Sequence, residues 1–487
     1  MHSDEPVAAK TWPARDNTGP QAAVRRLALE TEGACMPSDY DGIRSDNIRR
    51  RGEDFDDIGR LISERLYSDR THFIYELLQN AEDAGAFRAA FRLLPDRLEF
   101  RHYGARPFDQ RDVEAISDVL RGTSKDDPMK IGTHGIGFKS VFAFTKMPEI
   151  HSGGEHFRIE HYIRPYEVEA IALQPNETFM MFPFDHPDVP PQEASRQIAE
   201  RLTTLGARSL LFLDHISELD YEVEGGTLGS YKRVDAAARS PRHVKVQGKV
   251  QGARTDSSDP EVEETWLLFD RDVRGPDGTP TRPIHIAYRV EQDRRSGHQR
   301  VVPSPDAPLA VSFPTDQRTD LGFLIDGPFV TTSARDNVRL DEEANHRLAD
   351  ETAELVVESL RRLCADGLLS VGVLEAMPLR SPEADRYARG LLRPVHARVK
   401  RALEDEDLLP TSDGHYVRAR NAKLARGRLT LSSNGRAFSK RVTCSWRVVS
   451  YLNPISRRSG MQSPASYHRK TLPSSCVQLS KAISPIA

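Results

Sequence analysis

The sequence predicts an α+β fold, a first unit that mixes helices and strands and a β-rich second unit behind it. Three observations predict it. Residues 71–84 space their apolar side chains as one face of a helix, and Gly85 stands where a helix C-cap belongs. Residues 87–100 read as a strand pair, with 98–102 the better strand. Between 210 and 313, short β-branched and aromatic runs are separated by polar loops.

Residues 1–45 are polar, rich in Pro, Gly and Asp, and without periodicity, so they read as a disordered arm. A first unit follows over 46–190. Its first helix is expected over 55–66, where Phe55, Ile58, Leu61, Ile62 and Leu66 recur at helical spacing. The helix of 71–84 and the strands of 87–100 come next, then a helix over 109–120 with Val113, Ile116, Val119 and Leu120 inward. The polar run 121–130 leads into a glycine-rich stretch that gives way to an apolar helix by 145. Strands are expected at 149–151, 157–161 and 178–182. A helix over 192–205 opens the second unit, 191–365. Its strands are expected at 210–212, 219–223, 243–246, 265–269, 284–290 and 309–313, and the long helix 341–363 closes it. A helical extension, 366–413, carries a further helix near 384–404.

After Asp413 the chain changes character. Residues 414–487 contain no Asp or Glu, whereas all 72 acids lie before them. A basic tail binding nucleic acid, a disordered linker and a truncated or out-of-frame end all produce such a composition. Periodicity and caps vanish from about residue 440, which favours the last.

At 487 residues the chain has room for two or three domains. A net charge of -4 makes no global demand for nucleic acid or an anionic membrane. No run of 18 apolar residues marks a transmembrane helix, and the N-terminus lacks the pattern of a secretory signal. Cys35, Cys364, Cys444 and Cys476 are far apart and form no metal-type pair, so a reducing, cytoplasmic setting fits, with no structural disulfide or zinc expected.

Two motifs carry chemistry. Residues 76–83 place Glu76, Asn80 and Asp83 at i, i+4 and i+7, within about 60° of one another on a helix. A carboxylate, an amide oxygen and a second carboxylate on one stripe suit water activation and a hard cation, as they also suit a solvated helix face. The second motif places Gly132, Gly135 and Gly137 before Phe138, Lys139 and Ser140. It is not a P-loop, because Phe138 separates the last glycine from the lysine. Its glycines let backbone N–H groups approach an anion at the start of the following helix.

Together, in this order, the motifs resemble those of the GHKL ATPases, the superfamily of gyrase B, MutL, histidine kinases and the ninety-kilodalton chaperones. The stretch from His102 to Phe142 is most similar to the sacsin-like branch. The resemblance implies a Bergerat α/β sandwich, its mixed sheet covered by helices on one face, followed by a β-rich, transducer-like α/β domain. It implies ATP and Mg²⁺ as ligands. Glu76 would be the general base and Asn80 a Mg²⁺ ligand, with Asp83 in support at the nucleotide end of the helix. Gly132, Gly135, Ile136, Gly137, Phe138 and Lys139 would form the glycine box at the ATP lid, Lys139 either touching phosphate or projecting outward from the lid helix. Thr178 matches the threonine that helps hold adenine, or is a plain strand residue. Arg335, on a loop before a helix, stands in the context of a chaperone middle-domain arginine that reaches the γ-phosphate, or is a surface residue at a helix start.

One departure matters. The superfamily reads the adenine amino group with an aspartate in an Asp-x-Gly-x-Gly box, and residues 101–108 here hold one glycine and no acid. The expected activity is therefore either slow Mg²⁺-dependent ATP hydrolysis driving a chaperone-like switch, or non-hydrolysing nucleotide sensing within a larger defence or DNA-transaction assembly. An unidentified protein client and a nucleotide-dependent dimer are the partners this implies. Nucleic acid is a weaker alternative, and no membrane is expected.

Overall fold

The computed structural model describes residues 37–52, 55, 69–104, 106–119, 137–236, 241–252, 261–275, 278–292, 297–304, 307–332, 337–379, 390–411 and 414–422. The expected helix at 55–66, apart from Phe55, lies outside these residues, as do Gly132, Gly135, Ile136, Arg335 and residues 423–487.

The fold is α+β, built on one large, mostly antiparallel sheet. Helix α1 spans Tyr40–Arg51, so ordered structure reaches into the segment read as a loose arm. Its Asp39 cap accepts from the Gly42 N–H at 2.9 Å, and the helix carries three arginines in its last turn, where the dipole favours them. Helix α2 (Phe73–Asp83) follows a 3₁₀ turn at Arg70–His72. Strands β1 (Arg88–Leu93) and β2 (Arg97–Tyr103) form the expected pair, and α3 (Gln110–Ser117) starts on a capping box made by Asp109 and Asp112. A 3₁₀ helix, Gly137–Ala143, occupies the place of the apolar helix after the glycines. Strands β3 (Glu149–Ser152), β4 (Glu155–Glu160), β5 (Arg164–Glu167) and β6 (Glu177–Pro183) lead to α4 (Pro191–Thr204). The strand expected at 210–212 is instead the end of a 3₁₀ turn, Ala207–Leu210, and the residues after it, which carry the chain from α4 into the sheet.

The later strands are β7 (Glu218–Val223), β8 (Leu228–Ala236), β9 (Arg242–Gln251), β10 (Glu261–Arg271) and β11 (Ile284–Gln292). Beyond them run β12 (Gln299–Val302), β13 (Pro308–Val311), β14 (Phe313–Arg318) and β15 (Leu324–Asp326). Helices α5 (Glu343–Ala365), α6 (Val371–Ala376) and α7 (Arg393–Asp405) follow. Among the described residues these fifteen strands form one sheet, ordered β14-β13-β15-β11-β10-β9-β8-β7-β1-β2-β6-β3-β4-β5, with β12 beside β11. The sheet passes from the earlier strands to the later ones where β7 pairs in parallel with β1, from Arg88 opposite Glu218 to Leu93 opposite Val223.

Alternation along the strands separates two faces. In β1, Ala89, Phe91 and Leu93 join the first core with Leu98 and Phe100 of β2 and Met180 and Phe182 of β6. The opposite face is laced with charge pairs, among them Arg88–Asp220 at 2.7 Å and Arg97–Glu99 at 3.0 Å. Helix α2 packs onto the apolar face through Phe73, Ile74, Leu77, Leu78 and Ala81, each at most 1% exposed. Burying such leucines and isoleucines contributes about 1.5–3 kcal/mol apiece. At β10 the unbroken apolar run serves two cores: Trp266 and Leu268 belong to the first, Leu267 and Phe269 to a second under α5. The covering helical layer thus changes face along the sheet.

Candidate functional site

The site is built where α2, the 3₁₀ helix at 137–143 and the sheet meet. Helix α2 carries the first motif. Glu76 lies in its first turn, where the helix dipole favours a carboxylate, and is 2% exposed. One turn earlier, His72 brings its Nε2 to 3.6 Å from Glu76 Oε1. Asn80 and Asp83 continue the stripe toward the C-terminal end and are partly exposed.

Gly137 brings the second motif to the first. A Cβ built on Gly137 would stand 2.0 Å from Glu76 Oε2 and 2.9 Å from its Cδ. Only glycine allows this approach, and the cause is the carboxylate itself. Gly137→Ala is therefore expected to lower unfolding stability by about 1–3 kcal/mol, because a buried acid must be pushed off its position. Urea denaturation of the two proteins measures this, and equal midpoints would contradict the close approach.

The residues after Gly137 are committed to the interior. Phe138 places its ring in the first core, 6.4 Å from that of Phe182. Ser140 Oγ donates to the Gly137 carbonyl. Lys139 does not project outward from the helix: it is 1% exposed, and its Nζ donates to Ile116 O and Tyr162 O, each at 2.6 Å. The amine thus ties the last turn of α3 to the turn at His161 and Tyr162, both in the left-handed region with φ of 48° and 65°. Asn47 of α1 reinforces the same junction by donating to Ser117 O and Ile163 O.

Burial pushes the Lys139 amine down to about 7 from an ordinary 10.5, with Asp118 opposing. In the window between these values the unfolded chain binds the extra proton, so this lysine's contribution to stability grows as pH rises. Lys139→Met removes that dependence and two hydrogen bonds worth about 1 kcal/mol each. The stability of wild type relative to the variant is expected to rise between pH 7 and pH 10 by up to about 1.4 kcal/mol per pH unit. Urea titrations across that range test it, and a gap constant with pH would contradict a buried, neutralised amine.

Thr178 sits on β6 facing the helices, 1% exposed, and shares a 2.6 Å hydrogen bond with Ser152 Oγ of β3. Ser152 Oγ also accepts from the Phe108 N–H at 3.0 Å, which fastens the loop after β2 to the sheet. Within the glycine-poor segment 101–108, the residues divide by face. Arg101 lies on the outer face, paired with Glu177 at 2.5 Å and stacked over Phe179, while His102 is buried on the inner face.

One supporting residue was not singled out from the sequence. Glu82 is 4% exposed and accepts from three successive backbone N–H groups: Asp214 at 2.6 Å, His215 at 2.8 Å and Ile216 at 2.9 Å. It anchors α2 to the segment entering β7. A signal existed, since Glu82 follows Leu78 by four residues and so falls on the apolar flank of the helix. Arg233 clamps the same segment by donating to Leu210 O and Asp214 O.

With this geometry in place, two curated proteins compare with the chain. Over 343 residues, 62% of this chain, it is 26% identical to Protein NO VEIN of Arabidopsis thaliana. Over 109 residues, 19% of this chain, it is 34% identical to Sacsin of Homo sapiens. This chain is similar to both. The matched stretches cover only 12% of NO VEIN and 2% of sacsin. No protein-family model matches the chain. Among solved structures, the N-terminal domain of a DNA repair protein overlays at a TM-score of 0.35 and 13% identity, covering 58% of this chain and 91% of that one. Among the described residues, no helix is long and apolar enough to cross a membrane.

Proposed function

We propose that this chain binds ATP with Mg²⁺ in the GHKL manner and hydrolyses it slowly, as a chaperone-like conformational switch. The observation that carries the reading is the approach of Gly137 to the Glu76 carboxylate. Two motifs far apart in the sequence meet at the atoms the chemistry would use. A similarity to sacsin and NO VEIN supports the same reading.

The residues fit such a ligand. A buried carboxylate at a helix start can orient a water and accept its proton. The glycine beside it has no side chain to hold the carboxylate away, so the backbone that would face the phosphates lies against the base. Asn80, one turn along the same stripe, would offer its amide oxygen to Mg²⁺, which supplies charge neutralisation on the phosphates when bound. Asp83 and Thr178 would border the base. The Phe138 ring and the Lys139 amine are occupied by packing and by carbonyls, so their part is to hold the glycine in place.

Isothermal titration with ATP and ADP, each with Mg²⁺, tests binding, and phosphate release by wild type and Glu76→Ala tests hydrolysis. Absence of any binding would sink the proposal. Binding with equal phosphate release by both proteins would favour a nucleotide sensor that does not hydrolyse.

A further inference from the structure

A row of polar side chains crosses the helix-facing side of the sheet. His102 on β2 lies opposite Thr178 on β6, Thr178 opposite Ser152 on β3, and Ser152 opposite Glu155 on β4. None is more than 2% exposed. At the far end Glu155 is fully engaged, accepting from Ser38 N, Ser38 Oγ and Tyr40 Oη at 2.6–3.2 Å. Ser152 and Thr178 are bonded to each other. His102 Nδ1 differs: it has no hydrogen-bond partner among the described residues. The ring lies beneath the C-terminal end of α2, where a Cβ on Gly104 would stand 3.2 Å from Ala84 O and 3.6 Å from His102 Nδ1. That is the end of the helix that carries Asn80 and Asp83. Buried polar atoms are paired in native structures, so a nitrogen orphaned among the described residues is placed to take a ligand's hydrogen bond.

We propose that His102 is a specificity-determining residue, its Nδ1 accepting a hydrogen bond from the exocyclic amino group of adenine. This rests on the nucleotide reading of the site and names the residue that makes it purine-selective. It takes up the task for which residues 101–108 hold no acid.

The chemistry is consistent. Burial pushes the imidazole down to about 4, so the ring is neutral near pH 7. A neutral ring with its proton on Nε2 leaves Nδ1 as an acceptor. Beside it, Thr178 supplies a hydroxyl. When Phe108 N–H donates to Ser152 and the Ser152 hydroxyl donates to Thr178, the Thr178 hydrogen is left for a ligand. An acceptor next to a donor complements the amino group and adjacent ring nitrogen of adenine. Guanine presents the reverse pattern there, a carbonyl next to an N–H.

The test is titration of the full chain, with Mg²⁺, against ATP, GTP and purine riboside triphosphate, which is ATP without its amino group. Loss of that group is expected to weaken binding about tenfold or more, the effect of leaving a buried partner unmet. His102→Phe keeps a ring but no nitrogen, and is expected to bind ATP and the analogue alike. His102→Asn offers an amide oxygen and is expected to restore the preference for ATP. Equal affinity of the unsubstituted chain for ATP and the analogue overturns the inference, and needs no variant to fold. So does a preference for ATP that survives in His102→Phe. If the unsubstituted chain binds neither ATP nor inorganic triphosphate, it is the nucleotide reading itself that fails.

Discussion

Replacing Glu76 with alanine is expected to reduce phosphate release by about 10²–10⁴-fold while Mg²⁺-ATP still binds. The carboxylate is buried at the start of α2 and lies against Gly137, the last glycine of the second motif. Removing it takes away the group that would accept the proton of the attacking water. The backbone and sheet proposed to hold the phosphates and the base are untouched, so affinity is expected to be retained. Glu76→Gln should behave the same way, because an amide keeps the volume and loses the basicity. A phosphate-release assay with both variants, alongside titration with ATP, checks this. Loss of binding together with turnover would instead make Glu76 a structural residue of the helix start.

Removing the Glu82 carboxylate is expected to be the most destabilising single change at the site. Its two oxygens accept from Asp214, His215 and Ile216 backbone N–H groups, with His215 Nδ1 also at 3.1 Å. Glu82→Ala leaves these donors without their acceptor in a largely buried setting, at a cost of about 3–5 kcal/mol. Glu82→Gln is not conservative here. One oxygen accepts two of the N–H groups and the other the third, so an amide must turn its own donor toward at least one of them, costing about 1–3 kcal/mol. Denaturant unfolding ranks the three proteins, and a Glu82→Gln variant as stable as wild type would show that the carboxylate is not what holds this segment.

Much of the fold was legible because periodicity was strong where burial was strong. Helix α2 and strands β1, β2, β6, β10 and β11 were marked by apolar residues on one face or on both. Helix α1 was less visible: of its twelve residues, only Tyr40, Ile43 and Asn47 are buried, too few to give a period, and its first half was read into the polar arm. The 210–212 segment has the composition of a strand, but its apolar side chains are spent filling the core beneath a 3₁₀ turn. At the site, the two motifs do come together, Gly137 against Glu76, as their order in the sequence anticipates. The place of Lys139 was not legible, since a lysine after glycines reads equally as a phosphate contact or as an outward-projecting residue, and its amine is found between two carbonyls. His102 was hidden for a related reason: in a segment of Arg, His and Tyr, only strand alternation decides which one faces inward, and the register with Thr178 supplies that answer.

The sheet's continuity through the β1–β7 ladder has a mechanical meaning. Domains joined by a linker can swing as rigid bodies with little resistance. Here the helix bearing Glu76 and the long helix α5 lean on opposite faces of one hydrogen-bonded plate, with Glu82 pinning the first to the rim of β7. A plate of this kind behaves as a leaf spring: it stores a load as shallow curvature shared over many bonds. A push on one helical layer is expected to reach the other as a change in the twist they share.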